Sequence, residues 1–498
     1  MSPVSETEVA EGNAGEEPQR PHPMRSLLIL GVAALSFALA QTTLVPALAH
    51  LAEEFQTDAT GIAWVLTGYL ISAAVFTPIF GRLGDMFGKR RLLVIALLIF
   101  AAGSTVSALG DSVTAIVAGR ILQGVGGGVF PLCFGIIRDE FPADRVSTSI
   151  GLISATAGIG GGLGLILGGV ILDHTSYHWI FWLGAATAVV AAIAAVIWVP
   201  ESPNRIPAKV DIRGAVVLAV GLSIPMYAIS MANEWGWADP QTLGLIAAGL
   251  AILVFWVWLE TRTDEPLADV TLLRQPTVAM TNFATLLIGF GMFGSFILIP
   301  QLVEAPESTG YGFGLTATQA GLVMLPGALT MLFAGPLSGR LGTRFGNRMP
   351  MALGGLISGV GLLGLGLDHG SILHIVIWNL VGSIGIGLAF AAMPNLIMGA
   401  VPIAQTGEAT GMNALIRSVG SSLGSQVTAS ILTATAIGAV ALPTDQGFET
   451  AYLLCAGMSI LAGLMALLIP GAGRLHLPVG EEIGAASILP EPAQAAKR

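Results

Sequence analysis

Gly81-Arg82-Leu83-Gly84-Asp85-Met86-Phe87-Gly88-Lys89-Arg90 returns as Gly339-Arg340-Leu341-Gly342-Thr343-Arg344-Phe345-Gly346-Asn347-Arg348, identical at seven of ten positions at a constant offset of 258. Pro78 and Pro336 match at the same offset. Each copy is a glycine-rich, cationic segment after a long apolar run, so each reads as a tight loop between two membrane helices. Both copies leave their helix in the same direction. The repeats are therefore parallel, related by an axis along the membrane normal.

Composition supports a membrane setting. Of 498 residues, 54% are hydrophobic and 10% charged, with mean hydropathy +0.79. Soluble proteins carry about 25% charged residues. This excludes a soluble enzyme, a nucleic-acid binder and a disordered scaffold. The 65 glycines follow no G-X-Y period and suit closely packed membrane helices. Cys133 and Cys455 sit in apolar runs, with no disulfide framework or metal pattern, and read as small packing residues. No cofactor is implied.

A spanning helix needs about 20 mostly apolar residues. Fourteen candidates are expected, at 27–51, 61–80, 92–110, 113–136, 148–172, 177–199, 212–232, 241–259, 278–303, 317–337, 350–367, 371–400, 408–440 and 449–470. The first is too long for a signal peptide's apolar core and is read as retained. Of 21 lysines and arginines, Arg120 and Arg417 fall inside spans and the others all fall at one face. The positive-inside rule makes that face, and both termini, cytoplasmic. The repeated loops follow the second and tenth spans, so the second half starts at the ninth and two helices are inserted between the halves. The expected layout is an all-α membrane protein of 6 + 2 + 6 helices. Residues 1–24 form a disordered cytoplasmic tail, 25–200 the first half, 201–276 the insertion, 277–471 the second half and 472–498 a second cytoplasmic tail.

Two parallel six-helix halves describe a secondary transporter that rocks around a midplane site. The loop from Gly81 to Arg91 resembles motif A of the major facilitator superfamily. Arg120-Ile121-Leu122-Gln123-Gly124, continuing to Gly128, resembles its motif B. The glycine-rich stretch from Gly151 to Gly169 resembles motif C of drug/proton antiporters, and Asn413 through Gly420 resembles a stretch of the fourteen-helix drug exporters. The resemblance covers nearly all of residues 25–471. It implies the superfamily's fold and a monomer in the cell membrane that exports hydrophobic small molecules against protons. Three departures stand out. Gly164-Leu165 replaces the Gly-Pro of motif C, Ala40 replaces a first-helix aspartate, and Met86 replaces an arginine after Asp85.

In this fold the motif A loop lies beside the thirteenth helix, whose positive N-terminus near residues 407–412 can attract Asp85. Gly81, Asp85, Gly88, Lys89 and Arg90 are the expected conformational gate, with Thr343 leaving the repeat copy uncharged. Asp85 is read as the latch itself, whereas Lys89, Arg90 and Arg91 are read as obeying only the positive-inside rule.

Arg120 is expected roughly 10 Å deep in its helix, at the level of Gln41, Thr42 and Thr43, which could hydrogen-bond it. With Gln123, Phe293, Gln301, Glu304, Asn379, Asn395, Asn413 and Arg417, these residues form the expected coupling or substrate cavity. Arg417 is also read as able to snorkel to the cytoplasm. Gly164, Gly168 and Gly169 are expected to serve helix packing. None of the 31 acidic residues lies at mid-span, and Glu304, at the rim, is the best candidate proton carrier. An unneutralised Arg120 implies neutral or weakly anionic lipophilic substrates. The rival readings are an importer or facilitator and, from another class, a membrane sensor or enzyme. No Walker A, H-E-x-x-H or G-x-S-x-G stands where it could act.

Overall fold

The computed structural model describes residues 23–57, 59–203, 205, 209–435 and 442–470; most of both expected tails lies outside them. The first half contains α1 (Pro23–Thr42), α2 (Ala47–Glu54), α3 (Ala59–Phe87), α4 (Lys89–Ala108), α5 (Val113–Gly124), α6 (Val129–Glu140), α7 (Ala143–His174) and α8 (His178–Trp198). Next come α9 (Ile212–Trp235) and α10 (Pro240–Glu260), the two helices expected as an insertion. A short α11 (Val270–Arg274) leads to α12 (Pro276–Glu304), α13 (Ala317–Phe345), α14 (Arg348–Leu367), α15 (Ile372–Ala400), α16 (Thr406–Ala434) and α17 (Asp445–Leu467).

Among the described residues, 13 helical segments are long and apolar enough to cross a membrane, α5 and α6 counting as one through their 3-10 link. The helix absent from that set is α16. It is as long as its neighbours, at 29 residues, but Glu408, Asn413, Arg417 and several serines and threonines lower its hydropathy. The expected first span is interrupted. Pro46 has no N–H to continue the ladder, so the chain turns after Thr42 and restarts as α2.

The repeat is visible in the backbone. α3 and α13 each carry the matched proline, Pro78 and Pro336, and each ends at a glycine with positive φ, 109° at Gly88 and 85° at Gly346. A side chain is disfavoured in that conformation, which explains why both copies keep glycine there.

α7 sits between the halves and packs through glycine on two faces. A Cβ on Gly160, Gly164 or Gly168 would strike α1 at Ala38, Thr42 or the Thr43 carbonyl. A Cβ on Gly151, Gly158, Gly162 or Gly169 would strike α13 at Gly335, Met331, Ala328 or Thr318. Bare backbone on both sides lets three helices approach closely, the usual device where hydrophobicity gives no driving force between helices. Cys133 and Cys455 are buried and form no disulfide.

The inserted α9 covers the seam on the opposite side. Leu218 and Leu222 pack with Val75 of α3 and with Met412 and Leu415 of α16. Trp64 of α3 stacks on Tyr227 at 5.2 Å. α10 lies behind α9, and only 17% of its apolar window is buried; Leu243, Leu250, Val254, Phe255 and Trp258 face outward. A cysteine placed at Leu250 or Val254 should react with a lipid-phase maleimide at the same rate with and without substrate. Protection by substrate would place α10 on the transport path.

Candidate functional site

The repeated segments, expected as tight loops, are helical as far as Phe87 in α3 and Phe345 in α13, because only Gly88 and Gly346 take a turn conformation; this basic end is where the two halves are tied. α3 descends through Pro78 to Gly81, which approaches the start of α16 so closely that a Cβ would strike the Gly407 carbonyl. One turn on, the Asp85 carboxylate is fully buried and accepts hydrogen bonds from the Gly407 N–H at 3.2 Å and the Glu408 N–H at 2.9 Å. These are free donors of the first turn of α16, where the helix dipole is positive. The bonds cross between the halves.

The latch extends further. Lys89 is fully buried, its Nζ 2.7 Å from Asp139 and 3.6 Å from Asp85. Its stem fits over Gly135, where a Cβ would meet the Lys89 chain. Ser202 donates a short hydrogen bond to Asp139. Arg82 pairs with the buried Glu408 at 3.0 Å, and Glu408 also accepts the Asp269 N–H. Arg138 bonds Thr406 Oγ1 at 2.6 Å and the Val401 carbonyl at 3.0 Å. Two cations of the first half, Arg82 and Arg138, therefore converge on the junction of α15 and α16, while Lys89 holds Asp85 and Asp139 within the first half.

Lys89 thus differs from its expected reading. It is a structural ion-pair partner rather than a solvated positive-inside charge. Arg90 does not reach the second half: it bonds the Val199 carbonyl and approaches Glu201 at 3.6 Å, and the exposed Arg91 shares Glu201. Gly88 turns the chain beside the same Glu201. Arg82, Arg138, Asp139 and Glu408 went unselected at the level of sequence. An arginine inside the repeated motif and an acid at the start of a helix were the signals available.

The repeat copy is held without charge. Gly339 approaches the backbone of Ser147 and Thr148, Asn395 donates to the Ser147 carbonyl at 3.4 Å, and Thr343 bonds its own helix at Arg340.

Arg120 is sealed inside the first half, 1% exposed. It donates to the carbonyls of Val65 at 3.2 Å and Ala40 at 3.1 Å and to Gln123 at 2.7 Å, and its guanidinium lies 4.0 Å from the Tyr69 ring centre. Gln123 passes the network on to Ser104. The expected partners differ: Gln41 bonds Tyr69, Thr42 bonds the Gly160 carbonyl and Thr43 bonds Leu39 of its own helix. Carbonyls win because α1 breaks just beyond Ala40 and leaves acceptors free at that depth.

The remaining expected cavity residues are dispersed. Gln301 and Glu304 are exposed at the far end of α12. Asn379 is buried and donates to the Met324 carbonyl at 3.5 Å, lining a small pocket with Phe296, Met331 and Ser383. Asn413 bonds Asn282 and Thr285, tying α16 to α12. Phe293 packs against Phe296 at 6.0 Å, beside Met292, Met331 and Phe390. Arg417 does not snorkel: its guanidinium lies 4.5 Å from the Phe390 ring centre. Among the described residues no cluster of ligands could hold a metal ion.

The Major Facilitator Superfamily model matches residues 30–304 and 281–491. The chain is 27% identical over 425 residues to the Tetracenomycin C resistance and export protein of Streptomyces glaucescens, covering 84% of this chain and 78% of that protein. It is 28% identical over 392 residues to Multidrug resistance protein Stp of Mycobacterium tuberculosis (strain ATCC 25618 / H37Rv), covering 78% and 72%. It is 25% identical over 419 residues to Multidrug transporter protein MdtP of Bacillus subtilis (strain 168), covering 82% and 76%. The crystal structure of the human organic anion transporter MFSD10 (TETRAN) is similar in fold, with a TM-score of 0.65 at 16% identity over 90% of this chain and all of that one. A family match spanning both repeated halves, on a helical bundle tied across those halves, makes this multi-pass membrane chain a member of the major facilitator superfamily.

Proposed function

We propose that the protein is a secondary active exporter in the cell membrane. It moves hydrophobic small molecules outward by proton antiport and alternating access, and does not act as an enzyme. The observation that carries this reading is the Asp85 latch across the halves. A carboxylate bonded to free N–H groups of a helix in the other half stabilises one closed state, and it must release for that face to open. The names of the relatives, which refer to drug resistance and export, support the direction of transport.

The layout proposed is 6 + 2 + 6 helices with α16 as the thirteenth span and both termini cytoplasmic. The basic, latched face is then the cytoplasmic one, and the state described is closed to the cytoplasm. The proton is proposed to act on the buried carboxylates of that face, Asp85 and Glu408, because Glu304 stands exposed at the opposite end. Expression in a pump-deficient bacterial host, with dye and antibiotic efflux followed before and after a protonophore, tests the reading. Raised resistance and energy-dependent efflux that collapses with the proton gradient are expected. Accumulation of the same compounds, or flux indifferent to the gradient, would favour an importer or facilitator.

A further inference from the structure

We infer that Arg417 is the charge-reading residue of the substrate path, and that the preferred substrate is a lipophilic molecule carrying a carboxylate or phenolate. This rests on the exporter reading and names its substrate class. Arg417 lies 11 residues past the first residue of α16, roughly 16 Å along the axis and about half the depth of a bilayer core. Phe390 lies 10 residues before the end of the antiparallel α15, so the two meet at matching depth.

The contact with the ring is the side chain's only interaction among the described residues; no ion pair or hydrogen bond engages the guanidinium. The residue is half-buried. The guanidinium carbon lies over the ring at 4.5 Å, and N–H donors not engaged by hydrogen bonds are available to a planar anion. The same Phe390 belongs to an apolar cluster with Met292 and Met331, flanked by Phe293 and Phe296. Such soft, adaptable surface suits an aromatic or aliphatic body attached to the anion.

A bare cation at this depth is costly and normally faces a partner or a cavity. Arg120 lies apart from the Phe390 cluster, held within the first half by two carbonyls, Gln123 and the Tyr69 ring, with one guanidinium nitrogen left without a hydrogen-bond partner. The buried carboxylates Asp85 and Glu408 are at the basic-face latch, and Glu408 is already paired with Arg82. A cationic substrate would meet Arg417 with no acid beside it. An anionic one supplies the missing partner through a two-pronged, charge-assisted contact.

Three probes on one ring system test this: naphthalene-2-carboxylate, naphthalene-2-carboxamide and 2-naphthyltrimethylammonium. Binding is measured on the full-length protein in nanodiscs, for the wild type, Arg417→Gln and Arg417→Lys. The wild type should bind the carboxylate about tenfold to a hundredfold tighter than the amide, and the cation most weakly. Arg417→Gln should erase the preference while amide binding persists, and Arg417→Lys should restore part of it. Equal binding of carboxylate and amide by the wild type, or an intact preference in a Gln variant that still binds amide, would overturn the inference. If the Gln variant binds no probe, the wild type decides: displacement of the carboxylate by the cation as readily as by unlabelled carboxylate would also overturn it. Binding is read without transport. An anion preference erased by Arg417→Gln in a protein that moves no probe across inverted vesicles would therefore sink the exporter reading and leave this one standing.

Discussion

Asp85→Asn is expected to abolish or strongly reduce transport while the protein still reaches the membrane. The asparagine amide can accept one of the two N–H bonds at the start of α16, so local folding survives. It loses the negative charge that faces the helix N-terminus and the Lys89 ammonium at 3.6 Å. Charge at a partly buried helix terminus contributes up to about 2 kcal/mol, and a charged hydrogen bond about 1.5–3 kcal/mol. A two-state transporter poised within a few kcal/mol is carried well off balance by such a loss, by about tenfold to a hundredfold in population. Efflux assays normalised to membrane-inserted protein measure this directly. Wild-type rates in the Asn variant would remove Asp85 from the gate.

Lys89→Met should act more harshly, on folding as well as on transport. The lysine is the shared cation of two buried carboxylates, Asp85 and Asp139. Removing one partner of a buried pair leaves uncompensated charge and costs about 3–5 kcal/mol. The expected result is a lowered melting temperature in detergent and little active protein. Lys89→Met combined with Asp139→Asn removes one stranded charge and should recover a substantial part of the lost stability. A single variant as stable as the wild type would restore the simpler reading of Lys89 as a topology signal.

These two residues show what sequence could and could not disclose. The repeated loop, the matched prolines and the hydropathy runs carry the architecture, because membrane helices announce themselves through length and apolarity. Asp85 was legible because its partner is a helix terminus, whose position follows from the span pattern. Lys89 was not. A lysine at a helix end beside a membrane face ordinarily points to water, and its acid lies 50 positions away on α6. Arg82 and Glu408 are separated by 326 positions, and nothing local joins them.

Arg120 was recognisable as deep and unusual, and Gln123 was selected with it, but its other partners are backbone carbonyls and the Tyr69 ring. Carbonyls carry no sequence signature, and the one at Ala40 was freed by a break at Pro46 hidden within one apolar run. Arg417 was open to two readings, a cavity position and a snorkelling one. A position ten or so residues inside a helix permits snorkelling, and only packing shows that the side chain turns to Phe390 instead.

In the proposed cycle the halves part at the basic face, and the Asp85 latch sets that equilibrium. Phe87 and Phe345 end the two repeat-related helices and are both exposed, at 48% and 56%. Spin labels at Phe87→Cys and Phe345→Cys, with Cys133 and Cys455 replaced by alanine, report the separation of the halves by double electron–electron resonance. The account predicts a predominantly short distance with Asp85 intact and a distribution shifted to longer distances in Asp85→Asn. Superimposable distributions for the two proteins would contradict it.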